Sequence, residues 1–226
     1  FHAASRRPTR HNPSPQWRCP IDPIPLFGIQ DPFASLSHLL GALLFAVLGV
    51  ALIQRGRGDR LRVAALIVYV AGVVMTLLAS GLLHLAAHDT AMRTFMLHAD
   101  HAAIFFLIAA TYTPIHVIEF SGWMRWGVLG VIWSAALTGM VLKIGFMDAI
   151  PEWVSLTFYL LLGWAGLFTA YALYRVVGLR PLMPIVLGAL AYTVGAVIDF
   201  SQTAVPLPGV IGAHEVFHMF VLAGVA

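Results

Sequence analysis

The sequence predicts an all-α integral membrane protein, a bundle of seven transmembrane helices that encloses a metal site. Hydrophobic residues make up 60% of the 226 residues, charged residues make up 10%, and the mean hydropathy is +0.86. This balance lies far outside that of a soluble domain. A bilayer core about 30 Å thick needs about 20 apolar residues per helix. The chain offers seven such runs without strand alternation, which favours helices over a barrel.

The seven predicted helices follow one another with short links rich in glycine, proline or charge, so neighbours should be antiparallel. They cover residues 35–54, 62–85, 94–119, 123–143, 152–174, 181–199 and 210–226. Pro114 and Pro184 lie inside predicted helices and are expected to kink them. Four aromatic residues near helix ends predict a belt at the headgroup level. They are Trp123, Trp126, Trp153 and Tyr159.

Residues 1–33 predict a flexible, solvent-exposed arm before a membrane domain at 34–226. The arm holds seven of the 13 prolines and four arginines, a composition typical of disordered segments. The alternative for its last ten residues is a strap packed on the domain, because residues 24–27 are apolar. The sequence stops inside an apolar run, so we expect the natural C-terminus to lie further on.

Charge and cysteine content exclude several classes of function. The chain carries 13 basic and 10 acidic residues, and the basic ones lie mostly in the arm and the links, so no nucleic-acid patch is predicted. A single cysteine, Cys19, excludes an intrachain disulfide framework and a multi-cysteine zinc site. Any metal site must use histidines and carboxylates.

Three histidines predict such a site. His214 and His218 stand four residues apart at the start of the seventh helix, so both rings lie on one face and can reach one ion. His84 closes the second helix, whose end lies on the same side of an antiparallel bundle. Three neutral imidazoles leave a fourth position for water, as in catalytic zinc sites. Imidazole also suits copper, iron and nickel, but zinc is the predicted occupant.

Two polar residues are predicted to act beside the metal. Asp100, about one turn into the third helix, would hold a water molecule and move its proton. Ser80, one turn before His84, would donate to a developing oxyanion. Alternatively, Asp100 interacts with the helix dipole and Ser80 only allows close packing. The remaining polar residues near helix ends are predicted to be interfacial. They are His88, His98, His101, His116 and Asp199.

The pattern His214-Glu215-x-x-His218 also matches a zinc protease motif in which the glutamate is the general base. Most such enzymes take a third ligand further downstream, and only eight residues follow His218 here. Within the sequence, His84 is the better third ligand. Glu215 is instead expected to interact with the positive N-terminus of its helix.

Five stretches in order carry a resemblance to a known family: DPFASLSH (31–38), SGLLH (80–84), DHAAIFFLIAATYTP (100–114), YTVG (192–195) and HEVFHMFVLAG (214–224). Together they resemble the bacterial haemolysin III branch of the progestin and adipoQ receptor family, seven-helix proteins related to alkaline ceramidases. The resemblance implies a zinc ion at His84, His214 and His218, with Ser80 and Asp100 beside it. It further implies hydrolysis of ceramide-like lipid amides, a role in membrane-lipid homeostasis, and residence in the bacterial inner membrane.

A second reading stays open, in which the protein is a receptor-like or lytic membrane protein and zinc only joins two helices. Membrane lipids are the expected partners in either case.

Two observations bear on the orientation of the protein in the membrane, and they disagree. Near the helix ends, three basic residues lie on the N-terminal side and seven on the other, which favours an external N-terminus. The resemblance places the N-terminus and the zinc in the cytoplasm, and we favour the resemblance.

Overall fold

A computed structural model describes residues 24–25, 28–203, 206–207 and 209–226, so most of the predicted arm, residues 1–23, 26 and 27, lies outside the described residues. The described chain forms eight α-helices: α1 (Pro32–Arg55), α2 (Arg60–Leu85), α3 (Ala91–Glu119), α4 (Gly122–Gly145), α5 (Glu152–Trp164), α6 (Gly166–Val177), α7 (Leu179–Ser201) and α8 (Ala213–Val225). A 3₁₀ turn, Met147–Ala149, precedes α5. The described residues contain no strand, and Leu207 and Ile211 form an isolated bridge.

The helices confirm an all-α, multi-pass integral membrane protein. Six segments are long and apolar enough to cross a bilayer: α1, α2, α3, α4, the region Trp153–Val177, and α7. Helix α8 is apolar but shorter, with 13 residues. Each of the seven predicted runs therefore corresponds to helical structure. Pro114 and Pro184 lie inside α3 and α7.

The predicted fifth helix, 152–174, is wrong as one continuous helix, because it is divided at Ala165 into α5 and α6. A side chain from α3 explains the break. The Tyr112 hydroxyl lies 3.0 Å from the Leu162 carbonyl oxygen and 3.3 Å from that of Gly163. These carbonyls would otherwise accept bonds from the next turn of the same helix. No proline marks this position in the sequence.

The last helix begins at Ala213 rather than at residue 210. Gly209 adopts a positive φ of 79°, and the Ile211 amide donates to the Leu207 carbonyl oxygen, so a turn occupies the predicted first residues. The Glu215 carboxylate then accepts a hydrogen bond of 2.8 Å from the Gly212 amide. This cap from the glutamate side chain fixes the start of α8 and places His214 in its first turn.

The centre of the bundle combines residues far apart in sequence. Ala42 from α1, Val73 and Leu77 from α2, Leu107 from α3 and Val225 from α8 form one buried apolar cluster. Since α1, α3 and α8 all meet α2 here, the ends of these helices are held close together. The packing brings the predicted metal ligands to one end of the bundle.

His116 corrects a prediction, since it is a core residue and not an interfacial one. Its side chain is fully buried in α3. Its Nδ1 donates to the Met124 carbonyl oxygen at 2.5 Å, and its Nε2 lies 3.0 Å from the Thr169 hydroxyl. With both ring nitrogens bonded, this histidine joins α3 to the start of α4 and to α6.

Candidate metal site

The three predicted ligands converge through the same ring atom. The Nε2 atom of His218 lies 3.0 Å from Nε2 of His214 and 3.1 Å from Nε2 of His84. The His84 and His214 Nε2 atoms are 3.3 Å apart. His84 and His218 are buried and His214 is half-buried. A single ion can therefore reach all three nitrogens.

The far nitrogen of each ring also has a partner. His84 Nδ1 donates to the Asp31 carboxylate at 2.7 Å, and His214 Nδ1 donates to the Asp199 carboxylate at 3.1 Å. His218 Nδ1 lies 2.9 Å from Nε2 of His38. A proton on Nδ1 leaves the lone pair of a neutral imidazole on Nε2, which is the tautomer that a metal needs at this position.

The arrangement fits a tetrahedral metal. Zn–N bonds of about 2.0–2.1 Å at tetrahedral angles place the ligand nitrogens about 3.3–3.4 Å apart. The three edges here, 3.0, 3.1 and 3.3 Å, need to widen by only a few tenths of an ångström. Lone pairs held this close repel one another, and a cation between them removes that repulsion.

Asp31 anchors the segment before α1 to the site. Besides accepting from His84, it donates its backbone amide to the His84 carbonyl oxygen at 3.2 Å, and its carboxylate lies 3.9 Å from the guanidinium of Arg93. Burial alone would raise the pKa of Asp31. The hydrogen bond from His84 and the positive charge of Arg93 outweigh that effect, so this pKa lies below its ordinary value. The group is a carboxylate at neutral pH.

Asp199 also corrects a prediction. The sequence suggested an interfacial residue without a partner, but its carboxylate bonds to His214. The side chains of His214 and Asp199 are 38% and 33% exposed, against 6% and 10% for His84 and Asp31. The site therefore has a closed side at α2 and a more open side at the junction of α7 and α8.

Ser80 and Asp100, the predicted polar neighbours, stand beside the histidines. The Asp100 carboxyl lies near His214 and near the Ser80 side chain. Ser80 is buried, yet among the described residues its hydroxyl has no partner in hydrogen-bonding geometry. A buried hydroxyl without a partner is uncommon and indicates a donor that a ligand can satisfy. Their catalytic roles stay predictions.

The hydrogen bonding of Glu215 does not match the general base of the zinc protease motif. The residue is 4% exposed, and its carboxylate accepts from the Gly212 amide. The carboxylate therefore caps α8, as expected from its place in the first turn. The side chain is thereby held by the backbone of its own helix.

Of the other predicted interfacial residues, His88 is exposed, while His98 and His101 are half-buried. Each of the latter two donates Nδ1 to a backbone carbonyl four residues earlier, at 2.7 and 2.9 Å. The tryptophans of the predicted belt are exposed. Tyr159 is half-buried and donates to the His101 carbonyl oxygen at 2.9 Å. It is part of the packing between α3 and α5 and is not a belt residue.

Sequence reasoning missed the outer partners Asp31, Asp199 and His38. Asp31 and His38 lie in the stretch 31–38 that carried the resemblance. Spacing alone could not pair Asp31 with a ligand 53 residues away, or His38 with one 180 residues away. Asp199 ends the helix whose following link leads to His214. This shared end of the bundle was the signal that could have found it.

Helices, burial and ligand geometry define a multi-pass membrane protein with a buried three-histidine cluster that can hold a metal ion. The model of the family described as haemolysin-III related matches residues 29–226. The chain therefore belongs to the haemolysin III family.

Named relatives agree with this assignment. Hemolysin-3 of Bacillus cereus is 31% identical over 85% of this chain and 85% of its own length. The hemolysin-3 homolog of Bacillus subtilis is 28% identical over 89% of this chain and 92% of its own length. The human monocyte to macrophage differentiation factor is 26% identical over 80% of this chain and 74% of its own length. This last similarity confirms the predicted link to the progestin and adipoQ receptor family.

Proposed function

We propose that the protein is a zinc-dependent intramembrane hydrolase that cleaves lipid amides. The observation that carries the proposal is the convergence of three Nε2 atoms within 3.0–3.3 Å, each ring held from behind through Nδ1. Three imidazoles leave one tetrahedral position open, which is the pattern of catalytic zinc. The open side at His214 and Asp199 gives a substrate access to that position.

The reaction adds water across an amide bond. A bound zinc ion supplies Lewis acidity, which polarises a carbonyl group and makes water more acidic. Asp100 accepts the proton that water loses as its oxygen bonds to the carbonyl carbon. As the C–N bond breaks, Asp100 passes that proton to the leaving nitrogen. Ser80 donates its unpaired hydroxyl to the oxygen that becomes negative. The products are a carboxylic acid and an amine, and proton transfer between them gives a carboxylate and an ammonium ion.

The substrate class follows from the place of the site and from the resemblance. The ligands lie on apolar helices, so a substrate reaches them from the bilayer, and a lipid fits this route. The amide linkage, a ceramide-like substrate and a role in membrane-lipid homeostasis rest on the resemblance to the receptor and ceramidase relatives. Residence in the bacterial inner membrane rests on the same ground.

A structural metal is the second candidate. His84 on α2 and the pair on α8 are separated by 130 and 134 residues, so an ion would join the two helices whether or not it also catalyses. In that case the protein acts as a receptor-like or lytic membrane protein. This role requires neither a proton acceptor at Asp100 nor a free hydroxyl at Ser80.

One pair of measurements separates these candidates. Metal content is measured by elemental mass spectrometry on detergent-purified wild type and on His214→Ala, and hydrolysis of a fluorescent ceramide in mixed micelles is followed in parallel. We expect close to one zinc ion per wild-type chain and its loss in His214→Ala. Asp100→Asn is expected to keep zinc and to lose hydrolysis by 10²-fold or more.

The control is Asp89→Asn, which removes an exposed carboxylate at the same end of the bundle. Asp89 has a φ of 59°, a conformation that asparagine tolerates. Asp89→Asn should leave both the metal content and the rate of hydrolysis unchanged. Hydrolysis by Asp100→Asn at the wild-type rate would refute the mechanism. Folded wild type without metal would refute the zinc site itself.

A further inference from the structure

We propose that His38 is a positioning residue that sets the tautomer of His218 and thereby makes it a metal ligand. The proposal rests on the metal site proposed above. His38 lies two turns into α1 and is 2% exposed. Its Nε2 is 2.9 Å from Nδ1 of His218, and the two rings meet edge to face with centroids 4.1 Å apart.

The number of protons at this contact decides which ring must donate the hydrogen bond. Two ring nitrogens 2.9 Å apart share one proton, which belongs either to His38 or to His218. If His38 Nε2 donates, the neutral His218 carries its own proton on Nε2, where it points at His84 and His214. That nitrogen then cannot bind a metal. If His218 Nδ1 donates, Nε2 of His218 is bare, so metal binding requires His38 to be the acceptor.

A second contact competes for the same atom of His38. Its Nε2 also lies 3.4 Å from the His218 carbonyl oxygen, to which it could donate if it carried a proton. That contact is 0.5 Å longer than the 2.9 Å contact between the rings. The shorter contact dominates, because hydrogen bonds of this kind have their optimum near 2.9–3.0 Å.

The second ring nitrogen of His38, Nδ1, supports a role beyond packing. If Nε2 accepts, the proton of neutral His38 sits on Nδ1. This atom is buried and has no hydrogen-bond partner among the described residues. An unpaired buried donor is unfavourable for folding, and an apolar side chain of similar size would avoid it. Folding stability therefore does not explain a histidine at this position, whereas an acceptor for His218 does.

Charge explains why the third partner is an imidazole. Asp31 and Asp199 already place two negative charges behind His84 and His214, equal and opposite to a divalent cation. A third carboxylate at position 38 would add an excess negative charge in the buried core. A neutral acceptor orients His218 without that excess.

The test compares zinc affinities, measured by competition with a chromophoric chelator, among His38→Leu, His38→Gln, Ser35→Ala and wild type. His38→Leu should bind zinc 10–100-fold more weakly. His38→Gln should remain within a few fold of wild type, because its side-chain carbonyl can still accept from His218 Nδ1. Ser35 is the matched control, since it is buried one turn earlier in α1 and its hydroxyl bonds to the Gly81 carbonyl oxygen rather than to a ligand histidine, so Ser35→Ala should keep the wild-type affinity.

A positioning role also predicts that metal-free His38→Leu melts close to the metal-free wild type, since the loss of the unpaired Nδ1 donor of His38 offsets the loss of the acceptor for His218 Nδ1. Wild-type affinity in His38→Leu, or equal losses in the leucine and glutamine variants, would overturn the role of His38 while leaving the metal site intact. Wild type that binds no zinc would overturn both proposals.

A third measurement needs no variant. In zinc-loaded wild type labelled with ¹⁵N-histidine, the chemical shifts should show His218 protonated at Nδ1. A bare Nδ1 would overturn the role of His38 even if the variants fail to fold.

Discussion

Removing zinc from the purified protein is expected to lower its melting temperature by several degrees. The ion would bind the folded protein through α2 and α8, which are separated by a long stretch of sequence. The unfolded chain cannot hold His84, His214 and His218 within 3.0–3.3 Å of one another. Ligand binding restricted to the folded state raises the free energy of unfolding by mass action.

The magnitude follows from the occupancy of the site. With free zinc at 100 times its dissociation constant, the stabilisation is about 2.7 kcal/mol, which for a chain of this size raises the melting temperature by about 5–11 °C. The Nε2 edges already lie close to the spacing of tetrahedral ligands. Little of the binding energy is therefore used to rearrange the site.

The assay is tryptophan fluorescence during heating of detergent-solubilised protein, with a chelator or with buffered zinc. His218→Ala removes one ligand and should lose the dependence on zinc. The matched control is His116→Ala, which also removes a buried imidazole. Among the described residues, its ring nitrogens bond to Met124 and Thr169, and it lies four turns from Asp100 along α3. His116→Ala should melt lower in both conditions and keep the full zinc-dependent difference.

Two results would refute the reasoning. If zinc stabilises His218→Ala as much as wild type, the ion binds elsewhere. If wild type takes up one equivalent of zinc without a change in melting temperature, the ion binds the unfolded chain equally well and the three histidines are not a preformed site.

Two further pairs of variants test the outer partners and the packing. Asp31→Asn should weaken zinc binding 10–100-fold. The loss should exceed that of Asp199→Asn, because Asp31 lies closer to its histidine, 2.7 against 3.1 Å, and is more buried. The reverse order of affinities in a chelator competition would contradict this. Gly72→Ala should destabilise the protein by about 1–3 kcal/mol, since its Cβ would lie 2.6 Å from the Cβ of Ala110. Gly130→Ala, with nothing within 4 Å of its Cβ, should be neutral or stabilising in the same SDS unfolding titration. Equal effects of the two glycine variants would show that α2 and α3 do not depend on this close approach.

The sequence was sufficient for the fold because a bilayer imposes one requirement on each segment. A run of about 20 apolar residues has no alternative to a helix at membrane depth. The break at Ala165 escaped prediction, because it depends on a hydroxyl from another helix, Tyr112 of α3. The start of α8 at Ala213 escaped for a local reason, the cap between Gly212 and Glu215.

The candidate ligands could be predicted because local spacing and antiparallel topology act together. His214 and His218 share a helix face, and His84 lies at an end that alternation of helix direction puts on the same side. Their outer partners depend on which residues meet across helices. The pairing of His218 with His38 spans 180 residues and requires the packed structure.

The wide separation of the ligands along the chain also sets an order of events during synthesis. His84 precedes His214 by 130 residues. At the usual speed of translation that interval lasts roughly 7–26 s. Throughout it, His84 has only Asp31, already synthesised, as its partner. If the protein binds the proposed ion, metal loading would therefore follow the synthesis of α8, and a bound ion would report that α2 and α8 have come together.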